Sequence, residues 1–143
     1  MSKDKTSIRL TWLGAVAAAF WVTGPLAHGA GAPTMLTGDH ELPPVVTTAT
    51  ATSDIVVGTD RYVHGAVQTT GIEATAAHIH VGAPGVSGPV AVTLTKTKPG
   101  HWSVPDGTKF TAEQYESFKA GNLYINVHSA EHPAGEIRAQ LKE

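Results

Sequence analysis

Apolar and polar residues alternate with a period of two over most of the chain after residue 34, and this pattern predicts an all-β domain. Val90, Val92 and Leu94 alternate with Ala91, Thr93 and Thr95, and Val63, Gly65 and Val67 alternate with Tyr62, His64 and Ala66. Leu123, Ile125 and Val127, then Ile137, Ala139 and Leu141, repeat the pattern near the C-terminus. Successive side chains of a strand point to opposite faces, so each series marks one buried and one outer face. Val45–Val57 is dense in Val, Ile and Thr, which fit a pleated surface, and predicts a further strand. Several short strands separated by Gly/Pro turns indicate an antiparallel β-sandwich or a flattened Greek-key barrel.

One segment has a different period. Thr111 followed by Gln114 forms a capping box, Phe110 and Tyr115 occupy staple positions, and Gly121 suits a helix end. These predict one short helix over Ala112–Ala120 that buries Phe110, Tyr115 and Phe118. The last two strands predict a hairpin around Ser129–Gly135. Its second face carries Tyr124, Asn126 and His128 opposite Glu136, Arg138 and Gln140, and reads as a solvated outer face.

The first 29 residues read as a secretory signal peptide: Lys3, Lys5 and Arg9, then the apolar run Leu10–Val22, then Thr23-Gly24-Pro25 and small residues. The run is shorter than the roughly 20 residues of a membrane span. Residues 30–34 form a linker and 35–143 one domain. Once the leader is cut the expectation is an exported protein, periplasmic or extracellular, without a membrane span. The full chain has 10 Lys and Arg against 12 Asp and Glu. Loss of a leader carrying Lys3, Lys5, Arg9 and Asp4 leaves a net charge of −4, with no basic stripe, so nucleic acid is not expected as a partner. The chain has no cysteine, which excludes disulfides and thiolate metal sites.

Histidine is the remaining candidate for chemistry. Of eight histidines, His78 and His80 lie in Ala77–Pro89 and His128 and His132 in Asn122–Leu141. Side chains two apart on a strand share a face about 7 Å apart, so the His78 and His80 imidazoles can reach one ion. The same H-x-H arrangement on a strand holds metal in Cu/Zn superoxide dismutases, a geometric likeness only. His128 is the expected third ligand, provided that its strand lies beside that of His78 and His80. An imidazole set without thiolate points to copper or zinc. The competing reading has His78 and His80 donating hydrogen bonds to backbone carbonyls and locking the Gly82–Gly88 turn. His64 reads as a partly buried spacer and His101 as a surface-loop residue. Glu41, Glu131 and Glu136 offer carboxyl groups without a spacing that singles one out, and no hydrolase signature is present.

The ordered segments LTGDHELPPVVTTATA (Leu36–Ala51), AHIHVGAPGVSGPV (Ala77–Val90) and NVHSAEHPAGEIRAQL (Asn126–Leu141) resemble the CHRD domain, named from chordin and widespread in exported bacterial proteins. The resemblance covers about Met35 to Leu141. One departure is the TGDHELPP stretch, where the family pattern reads as SGAQEVPP-like. It introduces His40 between Asp39 and Glu41 as one more potential ligand. Together these features predict a non-catalytic module binding copper or zinc through His78, His80 and His128, with His40 or His132 assisting. Two alternatives stand beside it. One is a structural or interaction module that meets another extracytoplasmic protein through sheet edges or the Tyr124/Asn126/Arg138 face. The other is a copper redox enzyme.

Overall fold

The computed structural model describes residues 32–143; the signal peptide and the first two residues of the linker expected from the sequence lie outside them. The strands are β1 (Thr34–Leu36), β2 (Thr50–Ser53), β3 (Val56–Val57), β4 (Val63–His64), β5 (Ala66–Thr70), β6 (Ala74–Val81), β7 (Val90–Thr93), β8 (Thr95–Lys98), β9 (His101–Ser103), β10 (Leu123–Ser129) and β11 (Ile137–Gln140). One five-stranded sheet runs β1-β2-β5-β9-β8, a four-stranded sheet runs β11-β10-β6-β7, and β3 pairs with β4. Every pairing is antiparallel. The architecture is an all-β sandwich, and the described strands do not close into a barrel.

The core forms where the period-two pattern places it. Leu123, Ile125 and Val127 of β10 and Ile137 of β11 are fully buried, with Ala139 and Leu141 nearly so. They pack with Ile79, Val67, Leu36 and Trp102 between the sheets. The helix α1 spans Ala112–Lys119 and starts with the expected capping box, in which Thr111 and Gln114 satisfy each other's backbone N–H groups. Phe110 and Phe118 are buried, and Tyr115 is partly buried against the core.

Three of the predicted strands are broken. Residues 45–49 are not strand; only Thr50–Ser53 and Val56–Val57 of the 45–57 segment pair. Gly65, at φ 117°, separates β4 from β5 and sits against the Asp54 carbonyl and the Ile55 backbone. The 90–95 run crosses between sheets: β7 belongs to the four-stranded sheet, β8 to the five-stranded one, and Leu94 turns inward between them. Val90 is consequently exposed. His64 is exposed, stacked on Tyr62, and His101 belongs to β9 where it is half-buried.

The largest correction concerns the outer face of β10 and β11. Glu136 and Arg138, expected to be solvated, are 7% and 2% exposed. Two distant segments fold over them. Gly38 accepts from the Val45 N–H and Thr47 Oγ1 donates to Glu136 Oε1 at 2.7 Å, which brings the 38–47 loop onto β11. The 82–89 loop is fastened by Arg138 Nη2, which donates to the carbonyls of Val86 (2.9 Å) and Ala83 (3.4 Å), and by Gln140 Nε2, which donates to Gly82 O (2.8 Å). The Tyr124/Asn126/Arg138 row is thus interior, and a protein partner cannot reach it as an open face.

Candidate metal centre

The triad is built by strand register. The antiparallel pairing of β6 with β10 places Asn126 opposite His78 and Tyr124 opposite His80, with His128 two residues beyond Asn126 on the same face. A regular period of two therefore sets all three imidazoles on the side of the sheet away from the hydrophobic core. One ring nitrogen from each of His78, His80 and His128 lies within 4.8 Å of the others. Among the described residues this is the one group of three or more His, Asp or Glu side chains so arranged.

Two of the rings are oriented by backbone carbonyls. His80 Nδ1 donates to Gly88 O at 2.8 Å, and His128 Nδ1 donates to Pro133 O at 3.0 Å. A carbonyl only accepts, so both rings carry their proton on Nδ1 and present an Nε2 lone pair. The His128 Nε2 lone pair accepts from His78 Nδ1 at 2.9 Å. The His80 Nε2 is buried and meets no hydrogen-bond partner. Tyr124 stacks on His80 at 4.8 Å between centroids, with planes 6° apart, and Arg138 lies 3.4 Å from the Tyr124 centroid. The hydroxyl of Tyr124 accepts from the Gly88 N–H, so the same loop residue grips both rings.

Burial and the neighbouring imidazoles disfavour a charge on His78 and His128. Burial, then the nearby His128 and His80, hold His78 below the usual histidine range. Burial likewise lowers His128, outweighing the opposing effect of its bond to Pro133 O. Three rings this close cannot all be charged, and a neutral imidazole is the form that binds a metal.

The other candidates lie elsewhere. His40, in a short 3-10 turn at Gly38–His40, is exposed, bonds to Thr37 Oγ1 and lines a surface cavity of about 530 Å³ with Met35 and Arg138. His132 sits half-buried in the β10–β11 turn and is not in the triad. Neither joins the group because each belongs to a turn whose register the strands do not set. No carboxylate joins it either among the described residues. Glu41 is buried at 5% exposure with Oε1 unpartnered, and burial raises its pKa. It packs with Asn126 against Gly135, where a Cβ would lie 2.5 Å from Glu41 Oε1 and 2.8 Å from Asn126 Nδ2. That close approach at φ 136° requires glycine. Sequence reasoning gave Asn126 no part in the centre; its signal was the register, since it separates Tyr124 from His128 on the triad face.

Among the described residues no helix is long and apolar enough to cross a membrane. No curated protein and no solved structure matches the chain. The CHRD domain, by contrast, matches over residues 32–141, which include both covering loops and all three histidines. This chain belongs to the CHRD domain family.

Proposed function

We propose that the domain is a non-catalytic module, exported by its N-terminal leader, that holds one copper(II) or zinc(II) ion through His78, His80 and His128. The observation that carries this reading is the convergence of one ring nitrogen from each histidine to within 4.8 Å, with His80 Nε2 buried and without a partner. Metal-binding histidines characteristically donate their second N–H to a carbonyl or carboxylate, as His80 and His128 do here. In a tetrahedral zinc site with bonds of about 2.0–2.1 Å, ligand nitrogens stand about 3.3 Å apart. The His78–His128 spacing of 2.9 Å is near this value, and a metal would replace the proton they share. The all-nitrogen, thiolate-free set favours copper or zinc over magnesium or calcium.

A second reading is that the histidines only brace turns, and the His80–Gly88 and His128–Pro133 bonds favour it. A brace needs Nδ1 alone, however. It leaves no reason for a buried His80 Nε2 without a partner, which carries the cost of a desolvated polar atom, about 1–3 kcal/mol. Copper(II) and zinc(II) titrations of the domain and of a folded His78→Ala/His80→Ala variant separate the two. Stoichiometric, sub-micromolar uptake that the variant loses is expected; uptake no tighter than that of scattered surface histidines contradicts the proposal.

A further inference from the structure

We infer that the metal held by the triad keeps one exchangeable coordination position, open on the β7 side, and that this position takes a small monodentate anion from solvent. The inference rests on the metal-binding reading above. Three features lead to it.

The first is the ligand count. His78, His80 and His128 supply three nitrogens, and no fourth His, Asp or Glu among the described residues stands within the same reach. Structural sites are closed by four protein ligands, whereas three leave room for an exogenous one.

The second is access. His80 is covered by Tyr124 and held at Gly88, and His128 is held at Pro133; both are 9% exposed. His78 is the more exposed ring. Its neighbour across the sheet is Thr93 of β7, an edge strand, and Thr93 is exposed. The opening therefore lies between His78 and Thr93, away from the 38–47 and 82–89 loops.

The third is charge. Three neutral imidazoles leave the whole charge of a divalent ion uncompensated, and in a partly buried setting that charge attracts an anion strongly. Glu41 and Glu136 lie outside the group of ligand atoms, so neither neutralises the ion by direct coordination. Hydroxide, azide and similar one-atom donors match a single open position.

The test uses the copper(II)-loaded domain, with metal content measured before and after addition of sodium azide. A new azide-to-copper absorption band that saturates at one azide per copper, with a matching change in the electron paramagnetic resonance spectrum, is expected. Directly opposite residues in an antiparallel pair have Cβ atoms about 4.5–5.5 Å apart, so Thr93→His places a fourth imidazole beside His78. That variant should still bind one copper and lose the azide response. Copper retained at one per chain with no azide response in the wild type overturns the inference while leaving the metal site standing. An undiminished azide response in Thr93→His overturns the assigned opening. Failure to retain copper at all removes the metal-binding reading and this inference with it.

Discussion

Arg138→Met lowers the stability of the domain by on the order of 3.5–5 kcal/mol and releases the 82–89 loop. The substitution keeps most of the side-chain volume and removes the guanidinium. Lost with it are the charge-assisted bond to Val86 O and the stacking on Tyr124, at about 1.5–3 and about 2 kcal/mol respectively. For a domain of this size that is a large share of a total stability of about 5–15 kcal/mol. Urea denaturation measures the loss, and amide exchange at Val86 and Gly88 reports the loop. The Gly88 amide, bonded to Tyr124 Oη, is the sensitive probe because Arg138 steadies that ring from its other side. A loss below about 1 kcal/mol, the range of an exposed ion pair, would instead place Arg138 on a solvated face.

Zinc in excess raises the stability of the wild-type domain by about 2.7 kcal/mol when free metal stands at 100 times the dissociation constant, and leaves His78→Ala/His80→Ala unmoved. Binding to the folded state alone produces this shift, since the unfolded chain does not bring residues 78, 80 and 128 together. The variant is also expected to be less stable without metal, because it loses the His80 bond to Gly88 O. The diagnostic quantity is therefore the response to metal and not the starting stability. Acid works in the same sense. His78 and His128 have folded-state pKa values below their unfolded ones, so the unfolded chain binds protons first as pH falls below about 6.5. Stability contributed by the neutral rings is intact above that pH and is lost below it. Bound metal opposes that loss by holding the rings deprotonated. A zinc-induced shift of equal size in the variant would mean that the ion sits elsewhere.

The inward face of the sandwich was legible in the sequence because period two is a local signal. Leu123, Ile125, Val127, Ile137, Ala139 and Leu141 are all buried as their alternation requires. The helix was legible for the same reason, since its capping box lies within four residues. The outer face was not. A polar row such as Asn126, Arg138 and Glu136 reads as solvated unless something covers it, and the cover comes from residues 38–47 and 82–89, remote in sequence. The crossing of the chain between sheets at Leu94 was hidden likewise, because β7 and β8 run on in one unbroken alternation. The spacing of His78 and His80 places two imidazoles on one face, but the nearness of His128 depends on β6 pairing with β10, which only the fold supplies. His40 is suggested by a departure from the family pattern and His132 by its place in the hairpin segment, and the turns that carry them leave both outside the triad.

X-ray absorption spectroscopy of the zinc-loaded domain tests the central claim most directly, since it reads the atoms bound to the metal. Three imidazole nitrogens at about 2.0–2.1 Å, with one further light-atom ligand, are the predicted shell. A shell made mainly of oxygen, or one with a single imidazole, would contradict the triad as the binding site.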